Sequence, residues 1–105
     1  MMLVLPIKKK WFDMIASGEK KEEYREIKPY YNNRFYKTIY ENGKIIISTP
    51  QIIVLRNGYR YDSPSIKCRI ELTDGYGKKE WGAEPGKKYH VLKILEILEI
   101  KNASI

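Results

Sequence analysis

The residues best equipped for chemistry lie in one run, Gly18-Glu19-Lys20-Lys21-Glu22-Glu23-Tyr24-Arg25, where opposite charges crowd against a glycine. If the chain is extended from Lys21, alternation places Lys21, Glu23 and Arg25 on one face and Glu22, Tyr24 and Glu26 on the other. Lys20 then sits at the turn and can curl towards the first face. A carboxylate held between a lysine and an arginine is fixed in position and can accept a hydrogen bond from a ligand. The same three charges could equally form a partly buried network that fixes where a helix meets a sheet, with no ligand involved.

Further candidates lie along the chain. Lys8-Lys9-Lys10 precedes a short helix, where the lysines have the wrong sign for the helix dipole and where a docked anion would reverse the effect. Leu55-Arg56-Asn57-Gly58-Tyr59 and Trp81-Gly82-Ala83 offer cations and flat rings. Tyr24, Tyr30, Tyr31, Tyr36 and Tyr40 interleave with Lys28, Arg34 and Lys37, a mixture able to stack bases and hold phosphates.

Read as Gly-x-Lys-x-x-Glu-x-Arg, the residues Gly18, Lys20, Glu23 and Arg25 resemble the signature of the activating-signal-cointegrator homology (ASCH) domain. That domain is a small β-barrel of the PUA-like superfamily. The segments at Leu55 to Tyr59 and Trp81 to Ala83 are similar to those of phage-type relatives. The resemblance implies a cleft between barrel and helices that binds RNA or a nucleotide, with Lys20 and Arg25 as donors and Glu23 as acceptor. Lys8 and Lys9 would complete a basic rim, Arg56 would add a cation, and Trp81 and Tyr59 would stack a base.

The resemblance also implies an enzymatic alternative with Lys20 and Glu23 as catalytic residues. One branch of small ASCH-like proteins hydrolyses the amide of acetylated cytidine with a Lys, a Thr and a distant Glu. Here Glu23 stands in the place of the Thr, and a carboxylate beside Lys20 raises the lysine's pKa when an amine base needs it lowered. Glu23 would then be a general base, with Glu71, Glu80 or Glu84 as the second acid. The resemblance further implies a ribonuclease alternative, with Lys20, Glu23 and Arg25 as base and phosphate clamp. A protein-interaction module built on the tyrosine-rich segment is the third alternative.

The elements that must position these residues follow from patterning. Leu3 to Ile7 reads as a strand that Pro6 marks as an edge. Trp11, Met14 and Ile15 have helical spacing up to Ser17, and Gly18 stands where a left-handed cap is expected. Pro29 opens a second helix whose stripe is Tyr31, Phe35 and Ile39, and Asn42-Gly43 ends it. Ile45 to Ile47 and Ile52 to Leu55 read as strands, and Asn57-Gly58 as a tight turn leading into Tyr59-Arg60-Tyr61. Ser65 to Thr73 alternates, with Ile66, Cys68, Ile70 and Leu72 facing in. Asp74 to Gly77 reads as a mobile loop, and Glu84-Pro85-Gly86 as a turn. Tyr89 to Ile100 is apolar with imperfect alternation and is assigned as strand.

The composition bounds the rest. With 105 residues the expectation is a single domain, 1–105, with one core. Twenty Lys and Arg against thirteen Asp and Glu give a net charge of +7, an excess that favours polyanions. Cys68 is the sole cysteine, so no internal disulfide can form, and with His90 the sole histidine a Cys/His zinc site is excluded. The apolar run Met1 to Ile7 is too short to span a bilayer, and the expected location is cytoplasmic. No P-loop, nucleophilic-serine or dinucleotide motif occurs, so no cofactor is expected. The fold expected is α+β, a small, mostly antiparallel PUA-like β-barrel of about six strands with two short helices near the N-terminus.

Overall fold

A computed structural model describes residues 2–103; Met1 of the apolar run and the last two residues of the expected 1–105 domain lie outside it. Seven strands, two α-helices and one 3-10 turn follow the order β1 (Leu3–Pro6), α1 (Lys9–Ala16), β2 (Glu22–Glu26), α2 (Pro29–Phe35), β3 (Lys37–Glu41), β4 (Lys44–Ser48), β5 (Ile52–Arg56), β6 (Ser65–Tyr76), the 3-10 turn Lys79–Trp81, and β7 (Lys88–Lys101). Five strands form one mixed sheet in the order β1-β5-β6-β7-β2, which curls into a half-barrel. Among the described residues only β1 and β5 pair in parallel. The helices interleave with the strands and do not form an N-terminal pair: α1 joins β1 to β2, the two edges of the sheet, and α2 joins β2 to β3, a strand outside it.

The curl has a source in β7. Its register with β6 passes from Ile94 to Glu96 and from Ile97 to Glu99, so Leu95 and Leu98 are extra residues with no cross-strand partner. Each such bulge bends and twists its strand. Both leucines are about two-fifths exposed. The imperfect alternation of this segment is therefore two phase slips in a strand. Within the curl lie Leu5, Phe12, Ile15, Phe35, Ile53 and Leu92, all nearly inaccessible. Cys68 is among them, and burial pushes its thiol pKa up to about 12, as befits a structural thiol.

Four expectations are corrected. The second helix stops at Phe35, and Ile39 belongs to a hairpin of β3 and β4, a separate two-stranded sheet. Asn42 and Gly43 form its two-residue turn with φ of 51° and 75°, a reverse turn that glycine and asparagine accept. Asn57-Gly58 starts a longer loop, and Tyr59 to Tyr61 are not a strand, because β6 resumes pairing only at Ser65. Asp74 to Tyr76 are not a mobile loop but the end of β6, paired with Lys88 to His90 of β7.

Beneath α2, the buried His90 places its ring nitrogens 2.9 Å from Asp74 Oδ1 and 2.6 Å from Asn32 Oδ1. This ties α2 to β6 and β7. No helix among the described residues is long and apolar enough to cross a membrane.

Candidate functional site

The half-barrel leaves a seam between its edge strands, β1 and β2. Because the Ile7 N–H donates to the Arg56 carbonyl (2.9 Å), the alternation of a parallel ladder turns the Pro6 carbonyl the other way, towards the seam. Arg25 Nη2 meets it at 2.7 Å. A side chain thus spans the gap where a backbone ladder would close a barrel. On β2, the Ile94 N–H bonds the Lys21 carbonyl (2.9 Å), so Glu23 and Arg25 direct their backbone groups to β7. Tyr24 and Glu26 turn theirs to the free edge.

The motif residues come together as expected, and deeper than expected. Lys20, Glu23 and Arg25 are 2%, 6% and 8% exposed. Lys20 Nζ lies 3.1 Å from Glu23 Oε1 and donates to the Trp81 carbonyl. Arg25 donates to Glu23 Oε2 through Nη2 (2.7 Å) and Nε (3.2 Å), and through Nη1 to the Tyr31 hydroxyl (3.3 Å). An unbroken relay therefore runs from the Trp81 carbonyl through Lys20, Glu23 and Arg25 to the Pro6 carbonyl. It joins the two sides of the seam. Lys21, placed by alternation on the Glu23 face, stays in solvent just before β2 begins.

Lys20 also lies 4.9 Å from the ring centres of both Trp11 and Tyr24, so its ammonium is enclosed by aromatic faces. Burial lowers its pKa from the ordinary value, and the attraction of Glu23 opposes that shift without cancelling it. The direction is opposite to the one expected from the carboxylate alone, because desolvation is the larger effect.

Above the relay opens a cleft of about 390 Å³. That size is within the range of roughly 300–1,000 Å³ usual for small-molecule sites. One wall is the end of β1 with Lys8 and Trp11, and the other is the 3-10 turn with Trp81 and Gly82. This second wall is pinned at three points. The Tyr24 hydroxyl accepts from the Lys78 N–H (2.9 Å), the Tyr89 hydroxyl accepts from the Glu84 N–H (3.0 Å), and Lys20 holds the Trp81 carbonyl. Burial raises the Tyr24 pKa, so its phenol stays protonated and donates to Glu22 Oε1 (2.8 Å). Gly82, at φ 101°, lets the walls meet: a Cβ there would stand 2.9 Å from the Trp11 ring.

The other expected residues separate. Trp81 and Lys8 line the cleft, and so do Glu23 and Arg25, whereas Lys20 lies behind its floor. Lys9 turns away and pairs with Asp13 at 2.7 Å, one helical turn on, so it forms no part of the rim. Tyr59 borders a neighbouring groove, and Arg56 lies at the end of β5, partly buried, with its Nε unpartnered among the described residues. Of the three candidate acids only Glu84 lines the cleft. The lining carries Lys8, Arg25 and Lys87 against Glu23, Glu26 and Glu84, so its charge is balanced before Lys20 is counted. The net excess of basic residues, apart from the buried Lys20, therefore lies outside the cleft.

Tyr24 and Tyr31, expected as members of a tyrosine-rich set able to stack bases, line the cleft, and so do Trp11, Glu26, Lys87 and Tyr89, which the sequence did not mark as binding residues. The cleft runs along the free edge of an edge strand, so it gathers side chains from both strand faces. Alternation sorts faces and gives no signal for such a place. Among the described residues no group of three or more His, Cys, Asp or Glu is placed to hold a metal ion. No known family model, no curated protein and no solved structure matches this chain.

Proposed function

We propose that this protein binds RNA or a nucleotide by taking a nucleobase into the seam cleft, as the resemblance of Gly18-x-Lys20-x-x-Glu23-x-Arg25 to the ASCH, PUA-like signature implies. The observation that carries the reading is a cleft walled by Trp11, Tyr31 and Trp81 whose two sides are joined by a buried charge relay. Rings supply faces on which any base can stack. The outward N–H and C=O groups of Tyr24 and Glu26 supply donors and acceptors for a base edge. The relay fixes the spacing of the walls, which makes Lys20 a positioning residue. A balanced lining suits a base with one phosphate better than a long polyanionic track.

The test is titration with the four nucleosides and short single-stranded RNAs, followed by tryptophan fluorescence and NMR. Trp81→Ala is expected to weaken binding by about 1–3 kcal/mol, the usual worth of one base–aromatic stack. RNA affinity is expected to fall as salt rises. Binding that ignores Trp81→Ala, with NMR shifts scattered over surface lysines, sinks the assignment.

A hydrolase acting on an acetylated nucleoside or on RNA is the second reading. It is favoured by three carboxylates, Glu23, Glu26 and Glu84, on one cleft. Release of acetate or cleaved RNA that stops in Glu84→Gln would establish it, and its absence across both substrate classes removes it.

A further inference from the structure

The seam cleft has a neighbour. A second groove of about 460 Å³ is lined by Pro6, Ile7, Lys8, Asn57, Gly58 and Tyr59. Pro6, Ile7 and Lys8 line both, so the two hollows lie on either side of one short piece of backbone. At about 3.3 Å per extended residue that piece spans roughly 7 Å. The hollows are therefore adjacent stations on one surface.

Two side chains mark the second station. Tyr59 is 95% exposed, and no aromatic or cationic neighbour stacks on its ring among the described residues. Its loop is nonetheless braced. Asn57 Nδ2 donates to the Ile7 carbonyl (2.9 Å), the Asn57 N–H to the Pro64 carbonyl (2.9 Å), and the Arg60 N–H to Ser63 Oγ (3.0 Å). The first of these bonds fastens the loop to the wall that the two hollows share. Lys8, on that wall, makes no ion pair among the described residues, whereas Lys9 is held by Asp13.

We infer that the groove beside Tyr59 is a second nucleotide subsite, so that the ligand is a single strand of at least two nucleotides. One base occupies the seam cleft, the next stacks on Tyr59, and the phosphate between them lies at Lys8. This rests on the nucleotide reading of the cleft and extends it from a base to a strand. The chemistry is sequence-tolerant, since stacking uses a base's face and Lys8 reads only charge.

Calorimetric titration with adenosine, uridine and the dinucleotides ApA and UpU tests it. The dinucleotides are expected to bind about tenfold tighter than their nucleosides or better, the factor one further stack supplies. Tyr59→Ala is expected to erase most of that gain while adenosine binding stays within about twofold, and Tyr59→Phe to retain it. Lys8→Gln is expected to flatten the salt dependence of dinucleotide affinity by a slope of about 0.7, the release from one phosphate of a single strand. Equal affinity for nucleoside and dinucleotide, or an equal loss for both in Tyr59→Ala, overturns the second subsite and leaves the cleft reading standing. Failure of every nucleoside and dinucleotide to bind overturns the cleft reading and this one with it. Tyr59 and Lys8 are both exposed, so the variants keep the core intact.

Discussion

At the seam the protein buries charge; on the β3–β4 hairpin it exposes hydrocarbon. Lys20, Glu23 and Arg25 are almost inaccessible, while Tyr40, Ile45 and Ile47 are 76%, 66% and 67% exposed. The hairpin register, Tyr40 opposite Ile45 and Thr38 opposite Ile47, collects these side chains on one uncharged face. Ile39 and Ile46 oppose each other on the second face and are also exposed. The seam charges tolerate burial because each meets a partner, and the set joins two strands that no backbone ladder joins. The hairpin has only its own two strands, and such a unit is marginal in water. What a side chain contributes here is therefore set by what it connects, more than by its polarity.

The largest expected effect follows from the first half of that contrast. Glu23→Ala leaves two buried cations facing each other without their shared carboxylate, and breaking a buried pair in this way costs about 3–5 kcal/mol. Urea unfolding would read the loss. A change below about 1 kcal/mol would mean that the relay is hydrated in solution and that the seam is not held by it.

How far this was legible in the sequence depended on the same distinction. The grouping of Glu23 with Arg25, and the inward curl of Lys20, follow from a period of two beside a turn, and the structure has both. The walls that these residues hold apart come from α1, β1 and the 3-10 turn, distant in the chain, so Trp11 read only as a helix residue and Tyr89 as strand. The hairpin was hidden by coincidence. Tyr31, Phe35 and Ile39 recur every fourth residue, as on a helix, yet Tyr36 is already extended (φ −120°, ψ 112°). The competing signal was present: Asn42-Gly43 sits between Thr38-Ile39 and Ile45 to Ile47, two β-branched runs joined by a two-residue turn. The alternation of Tyr89 to Ile100 was blurred by two bulges, whose positions depend on pairing with β6.

An intermediate effect comes from Cys68, buried in the core on β6. The unfolded thiol ionises near pH 9 and the folded one near pH 12. In that window the folded state retains a proton that the unfolded state has lost, so stability falls as pH rises, by at most about 1.4 kcal/mol per unit. Tyr24, raised by burial, acts in the same direction; Lys20, lowered by burial, acts in the opposite one. Cys68→Ala removes one contribution only. Its deficit relative to the parent at pH 8 is expected to shrink by about 1 kcal/mol at pH 10. A constant deficit would mean that water reaches the thiol, which a closed seam does not allow.

The smallest effect is expected at the hairpin. Replacing Ile45 and Ile47 together by threonine keeps β-branching, and therefore strand preference, while removing hydrocarbon from the uncharged face. Because these side chains already meet water, global stability is expected to change by less than about 0.5 kcal/mol. Amides of β3 and β4 are expected to exchange through local opening, well before those of β2 and β7. Loss of more than about 1 kcal/mol, or exchange as slow as at the seam, would break the contrast, since hydrocarbon can stabilise only where something covers it. The same variant run at two protein concentrations identifies the cover. A concentration-dependent loss makes it another copy of the chain, and a concentration-independent one makes it the protein's own body.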